Sequence, residues 1–154
     1  MDSAALPHLL LTWIVGGGLS KVPLVSIIDG NESVAWAVAG IVGSAGFGVS
    51  VFTSAEQFIR SDQMSCTACL IADVQLPGMS GLQLQSHLAA AGRHVPIIFI
   101  TTSEDEKARA LAHELGAVNV LDKPSGDHAL LKEIRLILKP RDEEKLTSSH
   151  SPGP

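Results

Sequence analysis

The stretch Ala68-Cys69-Leu70-Ile71-Ala72-Asp73-Val74-Gln75-Leu76-Pro77-Gly78-Met79-Ser80-Gly81 holds one complete passage from strand to helix. Ala68–Ala72 is a short, unbroken apolar run, the pattern of a strand buried on both faces of a parallel sheet. Asp73 closes that run and Pro77-Gly78 supplies a turn. Ser80 then opens a helix that runs to Ala91 and stops at Gly92.

The same rhythm extends in both directions. Upstream, Leu24–Ile28 reads as a first strand, and Asn31 caps a helix running to about Ala45, ended by Gly46. Gly48–Phe52 is a second strand, and Ser54 caps a short helix to about Ser61. Downstream, Pro96–Ile100 is a fourth strand, and Glu104–Leu115 is a helix ended by Gly116. Ala117–Leu121 is a fifth strand, followed by a helix over Gly126–Leu138 that Pro140 stops. Five such strand–helix units predict a single α/β domain, a flavodoxin-like doubly wound parallel sheet of strand order 2-1-3-4-5. The domain occupies residues 22–139. Residues 1–21 read as a poorly ordered arm and residues 140–154, charged and then Ser/Pro-rich, as a disordered tail. With nothing after Leu138 that reads as a second domain, the expectation is a protein that stands alone.

Composition narrows the function. The 154 residues are 45% hydrophobic and 18% charged, enough apolar content for a full core without staples. Eleven basic residues against 16 acidic give a net charge of -5, which argues against binding nucleic acid through a basic face. The run Leu9–Val15 is too short to span a bilayer and lacks the preceding positive charge of a secretory signal. Two cysteines provide no disulfide framework, so the expected compartment is the cytoplasm, with no membrane partner. Cys66-Thr67-Ala68-Cys69 is a lone CxxC without a second pair of ligands. Cys69 falls inside a strand and reads as a small apolar residue rather than as a redox or zinc site.

In an open α/β sheet, ligands bind at the carboxyl ends of the strands, where the strand order reverses. Strand one ends at Asp29, strand three at Asp73, strand four at Thr101 and strand five at Asp122-Lys123. The 2-1-3-4-5 order makes strands one and three neighbours and so pairs the Asp29 and Asp73 carboxylates. Two close carboxylates repel, and a hard divalent cation such as Mg²⁺ is the usual means of holding both ionised. Thr101 adds a hydroxyl and Lys123 a compact positive charge. A carboxylate, a metal, a hydroxyl and an ammonium in one crevice suit a phosphoryl group accepted by an aspartate.

Ile71–Leu82, Pro96–Thr101 and Asp122-Lys123-Pro124 together resemble the receiver domain of bacterial two-component response regulators, over about Val22 to Lys139. The resemblance implies that Asp73 is the phosphoacceptor and that Thr101 follows the phosphoryl oxygen. It implies that Lys123 neutralises the phosphoryl charge and that Mg²⁺ is held by Asp29, Asp73 and the Gln75 backbone carbonyl. The implied partner is a histidine kinase or a histidine phosphotransfer protein. The implied chemistry is self-catalysed acceptance and hydrolysis of a phosphoryl group, not enzymatic turnover. An aspartate-nucleophile phosphatase would want an acid two residues after Asp73, where Gln75 stands.

Two positions depart from the family pattern. Receivers carry two adjacent acids after strand one, and here the pair is Asp29-Gly30. Losing a metal-touching carboxylate weakens Mg²⁺ by at least about tenfold, and Asn31 reads more simply as a helix cap than as a replacement. The switch aromatic three residues before the lysine is Val120, and the residue after Lys123-Pro124 is Ser125. These departures leave open a second reading, an interaction module of receiver fold whose phosphorylation is vestigial.

The first helix carries one charge, Glu32, between Asn31 and Ala45. Val34, Val38, Ile41 and Val42 are expected to face the sheet, leaving Trp36, Ala39, Gly40 and Gly43 outward. That bare outer face suits a contact: a partner helix anchored on Trp36, a weak homodimer, or the arm Leu9–Val15 folded back.

Overall fold

The computed structural model describes residues 22–102, 106–123 and 126–138. Five strands alternate with five helices: β1 (Leu24–Ile28), α1 (Glu32–Ser44), β2 (Gly48–Phe52), α2 (Ala55–Arg60), β3 (Thr67–Ala72), α3 (Gly81–Ala90), β4 (Ile97–Thr101), α4 (Glu106–Glu114), β5 (Asn119–Asp122) and α5 (Asp127–Ile137). A one-turn 3₁₀ segment, Met64–Cys66, leads into β3. The strands form one parallel sheet in the order β2-β1-β3-β4-β5, as the sequence predicts.

All residues of β1 and β4 are buried, because helices cover both faces of the sheet. Successive side chains serve opposite layers. Ile27 packs in a cluster with Ala35 and Val42 of α1 and Leu130 and Ile134 of α5. Ile28 packs with Phe58 of α2, Leu84 and Leu88 of α3, and Ala112 of α4. The Phe52 and Phe58 rings meet edge to face at 5.4 Å. Helix starts follow their caps: Asn31 accepts from Val34 N–H, Ser54 accepts from Gln57 N–H, and Ser80 with Gln83 closes a reciprocal capping box.

Boundaries move where a backbone N–H has another use. β4 starts at Ile97 rather than Pro96, since proline has no N–H to give the ladder. β5 starts at Asn119 rather than Ala117, because Ala117 N–H donates to Ala112 O at the end of α4, with Gly116 at φ +98°. One expectation for α1 is corrected. Its buried stripe is Ala35, Ala39 and Val42, while Val34, Val38 and Ile41 lie half-buried on one flank. Ala39 therefore faces the core, where a small side chain seats the helix close to the sheet. Trp36, Gly40 and Gly43 remain outward on the opposite flank, and Trp36 is 59% exposed. The expected arm and tail, together with Pro124 and Ser125, lie outside the described residues. Among the described residues no helix is long and apolar enough to cross a membrane.

Candidate functional site

The carboxyl ends of β1, β3 and β5 deliver three charged side chains to one point. Each is placed by a backbone bond to the neighbouring strand. Asp29 N–H donates to Phe52 O at 3.1 Å, Asp73 N–H to Ile28 O at 3.0 Å, and Lys123 N–H to Thr101 O at 2.9 Å. From there Lys123 Nζ reaches Asp29 Oδ2 at 2.5 Å and Asp73 Oδ2 at 2.7 Å. The other oxygen of each acid is turned inward on its own loop. Asp29 Oδ1 accepts from Asn31 N–H at 2.8 Å, and Asp73 Oδ1 accepts from Gln75 N–H at 3.0 Å. Both carboxylates are thus oriented by local turns that leave Oδ2 facing the shared ammonium.

Burial alone would lower the pKa of Lys123. The hydrogen bonds and charges of Asp29 and Asp73 outweigh it and hold the ammonium above the ordinary lysine value. The site therefore holds a cation between two acids at neutral pH, and one of them, Asp73, stands at the edge of a partly exposed loop.

Thr101 is buried at the end of β4, paired in register with Asp122. Val120 is buried in the layer that holds Phe99 and Ala112, so it fills core volume rather than standing free to rotate. Gly30 leaves no carboxylate beside Asp29, and Asn31 is engaged as the cap of α1. Cys69 is buried in β3 with its thiol pushed up to about 12 by desolvation, the behaviour of a core residue, whereas Cys66 is exposed.

The donor set fits a hard cation held by few protein ligands. Among the described residues each carboxylate oxygen has one protein donor and retains a further lone pair, and Mg²⁺ commonly uses one or two carboxylates plus waters. Among the described residues no cluster of three or more His, Cys, Asp or Glu side chains is gathered tightly enough to hold a metal.

Sequence reasoning missed two residues near this pole. Glu56, in the first turn of α2, accepts from Met79 N–H at 3.2 Å in the loop that carries Asp73. Arg109 of α4 pairs with Asp122, the residue before Lys123. The available signal was position: an acid in the first turn after the carboxyl end of β2 lies at the pole where ligands bind.

The two acids and one lysine meet at the switch point of a 2-1-3-4-5 sheet, the ligand-binding position of an open α/β fold. Residues 25–135 match the family model of the response regulator receiver domain, and the chain belongs to that family. It is 37% identical over 119 residues to the response regulator protein TodT of Pseudomonas putida, covering 77% of this chain and 52% of TodT. It is 34% identical over 114 residues to the transcriptional regulatory protein FixJ of Azorhizobium caulinodans, covering 74% of this chain and 54% of FixJ. The chain thus spans about half the length of these curated relatives. Among solved structures, the response regulator StyR superposes with a TM-score of 0.71 at 34% identity, over 83% of this chain and 65% of StyR. FixJ-N superposes with a TM-score of 0.69 at 28% identity, over 77% of this chain and 94% of FixJ-N.

Proposed function

We propose that this receiver accepts a phosphoryl group on Asp73 from the phosphohistidine of a histidine kinase or histidine phosphotransfer protein. The supporting observation is the Lys123 ammonium, which lies against Asp29 Oδ2 and Asp73 Oδ2 together. Asp73 Oδ2 forms the new bond to phosphorus as the bond from phosphorus to the donor nitrogen breaks. Lys123 is already beside that oxygen and exchanges its contact with the carboxylate for one with the phosphoryl oxygens. The Thr101 hydroxyl follows the phosphoryl oxygen. Asp29, Asp73 and the Gln75 carbonyl would hold Mg²⁺, which neutralises phosphoryl charge when bound. Without an acid at Gly30 that ion is held weakly, and acceptance is slow.

The protein acts here as an acceptor that catalyses its own modification and hydrolysis, in the cytoplasm, with a protein partner. Trp36 on the outward flank of α1 would anchor that partner. Gly30 favours a second reading, a receiver fold kept for interaction alone. Phos-tag electrophoresis after incubation with acetyl phosphate and Mg²⁺ decides between the two. A shifted band in wild type and none in Asp73→Asn supports acceptance. No shift in wild type, or an equal shift in the variant, overturns it.

A further inference from the structure

We propose that Glu56 is a positioning residue for phosphoryl acceptance, latching the Asp73 loop through Met79. This inference rests on the reading of Asp73 as the phosphoacceptor. The loop from Asp73 to Gly81 is anchored at both ends. Asp73 N–H is bound to Ile28 O, and Gly81 N–H to Val74 O at 2.9 Å. Its middle leans on α2: Met79 N–H donates to Glu56 Oε1 at 3.2 Å, a contact between residues 23 apart in sequence.

The neighbouring glycine shows how closely the carboxylate lies on the loop. Gly78 has φ +71°, and a Cβ there would meet Glu56 Oε2 at 2.4 Å. Glu56 thus covers Gly78 with one oxygen and holds Met79 with the other. Gly81 packs so tightly that a Cβ would lie 2.4 Å from the Asp73 carbonyl and 2.8 Å from the Phe99 ring. With that end immobile, loosening Gly78-Met79 moves the remaining free part of the loop, including the Gln75 N–H that orients Asp73 Oδ1.

An acid in the first turn of α2 could also act simply by complementing the helix dipole. The two roles separate in the amide variant. Glu56→Gln loses the charge and keeps the oxygen that accepts from Met79. Glu56→Ala loses both.

The test measures initial phosphorylation rates over a range of acetyl phosphate concentrations for wild type, E56A and E56Q, with amide exchange at Met79 followed by NMR. Positioning predicts that E56A lowers the maximal rate roughly 10- to 100-fold, as displaced reacting groups do, with half-saturation little changed. It predicts that E56Q stays near wild type and that Met79 N–H exchanges faster in E56A alone. Gly78→Ala, which strains the backbone at φ +71° and also pushes the carboxylate away, should slow the rate at least as much as E56A does, and adding E56A to it should cost little more. A wild-type rate in E56A, or E56Q as slow as E56A, overturns the proposal. Were wild type itself to accept no phosphoryl group, the Asp73 reading would fail. Unchanged Met79 exchange in E56A would separately remove the latch.

Discussion

Replacing Lys123 with methionine leaves the volume of the site nearly intact and removes the charge between its two acids. Asp29 Oδ2 and Asp73 Oδ2 both touch Lys123 Nζ, so they lie no more than about 5 Å apart. Two unit charges at that separation repel by roughly 3 kcal/mol at an effective dielectric of about 20, and by about 0.8 kcal/mol in bulk water. Both carboxylates are largely shielded, with side chains 8% and 12% exposed, which favours the upper part of that range. The variant is therefore expected to lose stability, because two like charges then face each other with no cation between them. Lys123→Met should thus lose about 1–3 kcal/mol relative to wild type at pH 7, the span of that repulsion. Adding Asp29→Asn should restore most of it. Urea unfolding at pH 7 measures both the loss and its restoration. A variant as stable as wild type at pH 7 would refute the idea that Lys123 holds the two acids together.

Other expectations test separate parts of the structure. Wild-type stability from Lys123 should be fully present below the ordinary lysine pKa and lost as pH rises through its elevated folded value; Lys123→Met should flatten that alkaline decline in thermal melts. Gly30→Asp should tighten Mg²⁺ about tenfold by isothermal titration; its Cβ meets Pro77 Cδ at 3.0 Å, so the exposed proline ring has to give slightly. Gly81→Ala should destabilise by about 1–3 kcal/mol in urea, because its Cβ would strike the Asp73 carbonyl and the Phe99 ring rather than a mobile side chain. Trp36→Glu should leave stability within about 0.5 kcal/mol while slowing transfer from a phosphohistidine donor, and an unchanged transfer rate would remove α1 as the docking face.

The sheet order and the three charged residues were legible in sequence for one reason. Strands buried on both faces leave continuous apolar runs, and whatever polar residue ends such a run marks the site pole. Asp29 and Asp73 directly end runs of this kind, and Lys123 follows Asp122 at the end of the shorter, half-exposed β5. The structure brings both acids within hydrogen-bond reach of Lys123. Details that depend on what packs against an element were not legible. Ala39 was assigned outward by hydrophobicity, yet closeness of approach to the sheet decided its burial. The starts of β4 and β5 shifted because single N–H groups were absent at Pro96 or used by the preceding helix at Ala117. Glu56 carries only a positional signal in the sequence, because its partner lies in another unit of the fold, 23 residues away.

Chemical location of the phosphoryl group tests Asp73 as its acceptor most directly. An acyl phosphate is cleaved by borohydride to the alcohol, so reduction after exposure to acetyl phosphate and Mg²⁺ converts a phosphorylated aspartate into homoserine. Peptide mapping by mass spectrometry then locates the modified residue. The account predicts homoserine at position 73 alone, in wild type and not in Asp73→Asn. Homoserine at another acid, or none in wild-type protein shown to be folded, would contradict it.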